Sequence, residues 1–113
     1  VENARSNALR NRITNVQFKA YDALEAFSQE VLHKFGSPDI VVLDPPRAGL
    51  HKNVLKKLLQ VLPSRIVYVS CNPATQSRDV ASLLSFYNVH TVQPVDMFPQ
   101  TPHIECVVRL DKK

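Results

Sequence analysis

The chain has 113 residues, 44% of them apolar, which suits one small domain with a packed core and excludes a disordered chain. Fourteen basic and ten acidic residues give a net charge of +4, compatible with a polyanionic partner but diagnostic of none. No apolar run is long enough to cross a bilayer, and two cysteines without a signal peptide or metal-ligand spacing indicate a cytoplasmic protein with reduced thiols and no metal.

Helix-like and strand-like stretches alternate along the chain. Apolar spacing and β-branched runs predict, in order, a helix over 2–11, a strand over 16–20, a helix over 23–35, a strand over 39–43, a helix over 54–62, a strand from Ile66, a helix over 73–86 that buries Val80, Leu83 and Leu84, and strands over 89–95 and 104–110. This alternation predicts parallel βαβ units with helices on both faces of a sheet. The last two strands are joined without a helix, so they should pair antiparallel.

Asp22 is the first candidate functional residue. It ends the predicted strand 16–20, and the carboxyl ends of parallel strands form the edge at which open α/β sheets bind ligands. With Glu25 it also fits an Asp-x-x-Glu capping box for the helix that follows. The residues leave both interpretations open.

The segment Asp44-Pro45-Pro46-Arg47 follows the strand over 39–43. Two prolines fix the backbone and remove donors, so they predict a rigid turn over the same edge of the sheet. Such a turn would hold the Asp44 carboxylate still beside a bound planar group, and Arg47 would meet a phosphate or carboxylate with two parallel hydrogen bonds.

Cys71 is the candidate nucleophile. The β-branched strand from Ile66 brings it to the point where strand becomes helix, with Asn72 as the predicted N-cap and Pro73 in the first turn. Unsatisfied N–H groups at a helix N-terminus favour the thiolate, which is the form that attacks. The competing interpretation is a small buried apolar residue, since free cysteines are commonly buried.

Three motifs carry a resemblance to a known family. In chain order they are Leu-Asp-Pro-Pro-Arg-Ala-Gly, Val-Ser-Cys-Asn-Pro and Thr-Pro-His-Ile-Glu-Cys-Val, and together they resemble the S-adenosylmethionine-dependent RNA uracil-C5 methyltransferases over nearly the whole chain. The resemblance implies an α/β fold with a Rossmann-like methyltransferase sheet, mostly parallel with an antiparallel C-terminal strand pair. It also implies S-adenosylmethionine as cofactor and rRNA or tRNA as the partner.

The same resemblance assigns the site residues. It makes Cys71 the covalent nucleophile and Glu105 the base, and it places Asp22 and Asp44 in the cofactor pocket. A thiolate that adds to carbon 6 of uracil turns carbon 5 into a nucleophile that can accept a methyl group. A carboxylate must then remove the proton from carbon 5 before the thiolate can leave. The candidate substrate-binding residues are Pro45, Arg47 and His103, and Cys106 should face the core because side chains alternate along a strand.

Two features of the family pattern are absent from this sequence: the first strand with its glycine-containing loop, and the acid that ends the second strand. We therefore expect residues 1–113 to be the C-terminal portion of a catalytic domain, inactive without the N-terminal part of the same enzyme. Two alternatives remain. Methylation of a base nitrogen would call for an aromatic residue where Arg47 stands, and a non-catalytic RNA-binding remnant would explain the basic charge and the missing strands.

Overall fold

The computed structural model describes residues 1–113 and contains five helices and four strands. They are α1 (Glu2–Arg10), α2 (Ala23–Ala26), α3 (Gln29–Phe35), β1 (Ile40–Leu43), α4 (Lys52–Val61), β2 (Arg65–Ser70), α5 (Pro73–Ala81), β3 (Tyr87–Val95) and β4 (Glu105–Lys112). None of the helices has the length and apolar character needed to cross a membrane. The predicted mixed α/β architecture is confirmed.

The four strands form one sheet in the order β1-β2-β4-β3. β1 and β2 are parallel and are joined through α4, whereas β4 is antiparallel to both of its neighbours. The antiparallel pairing of the last two strands is confirmed. Because β4 folds back from β3 and inserts beside β2, β1, β2 and β3 run in one direction and β4 alone runs in the other. Three of the four strands thus share one direction, although β1 and β2 are the one parallel pair that is hydrogen-bonded.

The core lies against the two central strands. Alternate residues of β2 and β4 are buried, which is the pattern of strands with one covered face. Cys106 belongs to this core, as strand alternation predicts, and burial raises the pKa of its thiol. The fully buried apolar side chains are Tyr68, Tyr87, Leu58, Ile66, Leu83 and Leu110.

The segment 16–20 is not a strand, contrary to the prediction. It is irregular and pairs with no other strand, and Val16 is exposed. Its one long-range hydrogen bond comes from the Arg5 guanidinium, which donates to the carbonyl of Phe18. Strand propensity reflects packing on a pleated surface more than a backbone preference, so a β-like run without a partner stays irregular.

The predicted helix over 23–35 is two helices. It breaks at Phe27 and Ser28, and the Ser28 hydroxyl accepts a hydrogen bond from the N–H of Val31. Serine competes with the helical backbone for hydrogen bonds, and here it starts a new helix instead of continuing the old one.

The helix predicted over 73–86 ends at Ala81. Its buried face is formed by Gln76 and Asp79, with Leu83 just beyond the helix, whereas Leu84 is exposed and Val80 is only partly buried. The face that the prediction treated as apolar is therefore polar within the helix.

Candidate active site

Cys71 lies in the one-residue link between β2 and the N-cap of α5. Asn72 is the N-cap and accepts a hydrogen bond from the N–H of Ala74, and Pro73 opens the helix. The Ser70 hydroxyl accepts from the Asn72 N–H at 3.0 Å and donates to the Asn72 carbonyl at 3.2 Å. The strand-to-helix turn predicted around Cys71 is confirmed. Cys71 is partly exposed there, unlike the buried Cys106.

Glu105 is the first residue of β4, and the strand register relates it to Cys71. The last pair between β2 and β4 is Ser70 with Cys106. One residue beyond this pair, forward along the chain from Ser70 and backward from Cys106, lie Cys71, which follows β2, and Glu105, which begins β4. Because Cys106 faces the core, alternation puts Glu105 on the other face of the sheet. Cys71 and Glu105 therefore lie at the same end of the central strand pair.

Gln76 links the two strands that carry these residues. Its side-chain N–H₂ group donates to the carbonyl of Tyr68 in β2 at 2.8 Å and to the carbonyl of Cys106 in β4 at 3.0 Å. The side chain is buried, with 2% of the residue exposed. Sequence reasoning missed this residue. Its spacing from Asp79 and Leu83, three and seven positions, is the signal that places it on the inner face of α5.

The Asp44–Gly49 loop lies on the N-terminal turns of α5. The carbonyl of Arg47 accepts hydrogen bonds from the Asn72 amide at 3.2 Å and from the Thr75 hydroxyl at 3.0 Å, and the Arg78 guanidinium donates to the carbonyl of Ala48 at 3.0 Å. Side chains of α5, the helix that follows the candidate nucleophile, and of its N-cap thus bind backbone carbonyls of the proline-rich loop. The sequence predicted a rigid loop but not this contact.

Asp79 anchors the other side of the loop. Its buried carboxylate accepts from the Leu50 N–H and from the Tyr68 hydroxyl, both at 2.7 Å, and pairs with Arg78 at 2.8 Å. Burial, and next the hydrogen bond to Asp79, raise the pKa of Tyr68 above its ordinary value. The phenol therefore stays protonated and donates, so β2, α5 and the loop form one connected unit.

Arg47 and His103 come together although they lie in different motifs. The guanidinium Nη1 of Arg47 is 3.4 Å from Nδ1 of His103, and both side chains are exposed. Since arginine can only donate, this contact has the imidazole nitrogen as the acceptor. Two of the three candidate substrate-binding residues thus meet between the proline-rich loop and the start of β4.

Asp22 and Asp44 line one cleft of about 840 Å³, beside Pro45 and the apolar side chains of Phe27, Leu43 and Val54. Asp22 also caps α2, where it accepts from the N–H of Leu24 at 2.8 Å. Both interpretations of Asp22 are therefore compatible with its position, although Glu25 does not make the return bond of a capping box. Cys71 and Glu105 do not line this cleft. The loop that begins at Asp44 runs from the cleft to Asn72, the neighbour of Cys71.

A partly exposed cysteine and a carboxylate lie at the same end of the central strand pair, and a largely apolar cleft with two carboxylates lies beside β1. These features define an α/β domain with a candidate covalent site. The chain belongs to the tRNA (uracil-5-)-methyltransferase family, whose sequence model matches residues 1–113. The predicted family is thereby confirmed.

Similar proteins agree with this assignment. An uncharacterized RNA methyltransferase of Bacteroides thetaiotaomicron is 50% identical over 111 residues, which are 98% of this chain and 24% of that protein. One from Porphyromonas gingivalis is 48% identical, over 97% of this chain and 24% of its own length. The chain therefore spans about a quarter of the length of these relatives.

One solved structure is similar in fold. It is the crystal structure of Pyrococcus abyssi tRNA (uracil-54, C5)-methyltransferase in complex with S-adenosyl-L-homocysteine. It matches with a TM-score of 0.80 and 39% identity, covering 97% of this chain and 26% of the other. The mixed α/β fold described above is thus the fold of a segment of that enzyme.

Proposed function

We propose that residues 1–113 are the C-terminal portion of a catalytic domain that methylates carbon 5 of a uridine in tRNA or rRNA through a covalent cysteine adduct. The observation that supports the proposal is the strand register, which ends with Ser70 opposite Cys106 and so brings Cys71 and Glu105 to the same end of the β2–β4 pair, in a chain that matches the uracil-5 family along its whole length. Membership of that family also argues against the alternative of base-nitrogen methylation.

Cys71 acts as the nucleophile in this proposal. Its thiolate forms a bond to carbon 6 of the uracil, and the electron pair of the carbon 5–carbon 6 double bond moves toward the carbonyl at carbon 4. Carbon 5 of the resulting enolate would then take the methyl group of a bound S-adenosylmethionine. The electron pair of the broken sulfur–methyl bond would stay on the sulfur, so that S-adenosyl-L-homocysteine leaves. The turn held by the Ser70 hydroxyl fixes the backbone on both sides of the reacting sulfur.

Glu105 acts as the base that ends the reaction. Once carbon 5 carries both its original proton and the new methyl group, the carboxylate removes that proton. The electron pair of the broken carbon–hydrogen bond restores the double bond, and the bond from carbon 6 to the Cys71 sulfur breaks. Cys71 leaves as a thiolate and is ready for another cycle.

The acidic cleft fits part of the methyl donor. Its volume of about 840 Å³ lies within the range of small-molecule sites, and the apolar wall with two carboxylates suits a planar adenine with its amino group and ribose hydroxyls. Asp22 would bind near the adenine, and Asp44 would lie between cofactor and target base. S-adenosylmethionine, when bound, supplies an electrophilic methyl group. The bound S-adenosyl-L-homocysteine of the Pyrococcus enzyme supports this assignment.

Arg47, His103 and Pro45 would bind the RNA around the target uridine. Arg47 carries a fixed positive charge that suits a phosphate, and its contact with His103 holds both side chains near the start of β4. Pro45 lines the cleft next to Asp44, so it would contact the edge of the bound base.

The experiment is a comparison of two variants in a complete enzyme that contains this chain. Cys71→Ala should abolish methyl transfer and any covalent link to RNA, because carbon 5 is never activated. Glu105→Gln should allow attack and methyl transfer but block release, so that a methylated RNA adduct accumulates. Labelled RNA on a denaturing gel distinguishes the two variants, which look alike in a turnover assay.

Cys106→Ala is the matched control, because this second thiol is buried in the core and should leave adduct formation intact. The assignment of roles is wrong if Glu105→Gln turns over normally or if Cys71→Ala still forms the adduct. A wild-type enzyme that binds RNA yet neither methylates it nor forms an adduct would support the non-catalytic alternative.

A further inference from the structure

The connection between β3 and β4, residues 96–104, presents three large apolar side chains to solvent. Its ends are fixed, because Val95 pairs with Glu105. Between these ends, Met97 is 63% exposed and Phe98 is 51% exposed, and Ile104 is 37% exposed. Since Glu105 begins β4 where this connection ends, the connection leads directly to the candidate base.

Phe98 is held by a well-defined turn. The Thr101 N–H and the Thr101 hydroxyl both donate to the Phe98 carbonyl, at 3.2 Å and 2.7 Å. Pro99 occupies the second position, and Gln100 has a φ of 68° in the third, which is the pattern of a type II turn. A non-glycine residue in this conformation is strained, and such strain is concentrated at ligand contacts. The turn therefore presents Phe98 on a rigid support.

The turn is linked to the site residues by a chain of contacts. The His103 N–H donates to the Thr101 hydroxyl at 3.3 Å, and the His103 ring meets Arg47. The Arg47 carbonyl in turn accepts from Asn72, the neighbour of Cys71. The turn at Phe98 is thus linked, through Thr101, His103 and Arg47, to the neighbour of the candidate nucleophile.

The composition of residues 96–105 indicates which part of an RNA this segment would contact. Between 96 and 105 the acids Asp96 and Glu105 outnumber the single basic residue, His103, so this segment does not attract phosphate. An exposed aromatic ring beside a thioether suits the face of a nucleobase, because proteins that bind single-stranded RNA stack unpaired bases on aromatic side chains.

We propose that Phe98, flanked by Met97, is a stacking platform for a nucleobase next to the target uridine in single-stranded RNA. The proposal rests on the proposed RNA substrate. It makes Phe98 a residue that determines RNA binding and the sequence or shape accepted around the target. It gives the residue no part in bond making or breaking.

A direct test places an indole at the turn in a complete enzyme that contains this chain. Residues 1–113 contain no tryptophan, so the difference in fluorescence between Phe98→Trp and the unsubstituted enzyme reports on the turn, and an oligouridylate should quench that difference by stacking. An abasic oligomer with the same number of phosphates should not. Phe86→Trp is the matched control, because Phe86 is 47% exposed but precedes β3 and so lies at the opposite end of the sheet.

Equal quenching at both positions, equal quenching by the abasic oligomer, or no quenching at Phe98→Trp would overturn the proposal. The same signal is expected when Cys71→Ala is added, because stacking needs no catalysis. A failure of the proposed chemistry is therefore distinguishable from a failure of stacking.

Kinetics provide the second measurement, in a complete enzyme that contains this chain. Phe98→Ala should raise KM for RNA about tenfold, the size of one lost stacking contact, with kcat retained, and Phe98→Tyr should restore KM. Phe86→Ala should leave both constants unchanged. An unchanged KM, or a fall in kcat and thermal stability without a change in KM, would show instead that Phe98 packs against protein.

Discussion

Gly49 is the residue that lets the proline-rich loop lie against α5. Its φ is +81°, and a Cβ added there would stand 2.5 Å from Oδ2 of Asp79 and 2.8 Å from the Arg78 guanidinium. That Oδ2 atom is the acceptor for both the Leu50 N–H and the Tyr68 hydroxyl. Any side chain at position 49 therefore displaces the carboxylate that fastens the loop to β2.

We predict that Gly49→Ala destabilises the fold more than a glycine substitution elsewhere in the chain. Gly36 provides the control, because its φ is +83° but an added Cβ would meet nothing within 4 Å. Gly36→Ala should cost only the backbone strain, about 1–3 kcal/mol. Gly49→Ala should cost about 1–3 kcal/mol more, since buried hydrogen-bonding groups lose their partners. Urea unfolding of both variants measures the difference, and equal losses would mean that the Asp79 contacts do not stabilise the loop.

At the scale of elements, a salt bridge connects β2 and β4 at the end of the strand pair that is farther from the candidate site. Asp111 pairs with Arg65 across the strands at 2.7 Å and with Arg109 at 2.8 Å. Hydrogen bonds from Arg109, and next from Arg65, lower the pKa of Asp111 from 3.8 to about 2. The carboxylate thus stays ionised in the folded protein at a pH where it is protonated in the unfolded chain.

This shift predicts a pH dependence with a definite sign. Because the pKa is lower in the folded state, the contribution of Asp111 to stability is complete above about pH 4 and is lost as the pH falls toward about 2. Asp111→Asn should therefore lower the urea midpoint by a constant amount from neutral pH down to about pH 4. Below about pH 4 the difference between the two urea midpoints should shrink. A difference that is still full-sized near pH 2 would contradict the ionised pair as its cause.

The elements that are predicted correctly depend on local interactions, whereas the errors arise where the local sequence does not decide the structure. The cap at Asn72 and the strand β2 follow from residues that act on their immediate neighbours, and both predictions are confirmed. The strand expected over 16–20 is absent because a strand needs a partner that sequence alone does not supply. The break at Ser28 could not be predicted, because a serine in this sequence context fits the interior of one long helix as well as the N-cap of a second helix.

For the whole molecule, the sheet order makes β2 and β4 central and leaves β1 and β3 at the edges. Residues from both central strands belong to the main apolar cluster, including Ile66, Tyr68, Val108 and Leu110. The segment 16–20 contributes nothing to this cluster. Stability against local opening should therefore fall from the centre of the sheet toward this segment.

Hydrogen exchange measures that gradient. We expect the slowest amide exchange in β2 and β4, faster exchange in the edge strand β1, and the fastest exchange over 16–20, whose amides are bonded to no neighbouring strand. The helix α1 (Glu2–Arg10) is the internal reference, because it lies close to the segment in sequence but its amides are hydrogen-bonded. Protection of 16–20 equal to that of Ile40 and Ile66 would contradict this order.

The sequence by itself determined the alternation of strand and helix from β1 to α5, the turn that carries Cys71 and the family. Each of these depends on residues close together in the chain or on motifs of fixed order. Tertiary structure alone decided that β4 inserts beside β2, which brings Glu105 to the end of the strand pair where Cys71 lies, and that Gln76 and Asp79 join strands, helix and loop. These contacts form between distant parts of the chain, and their geometry depends on how the elements pack.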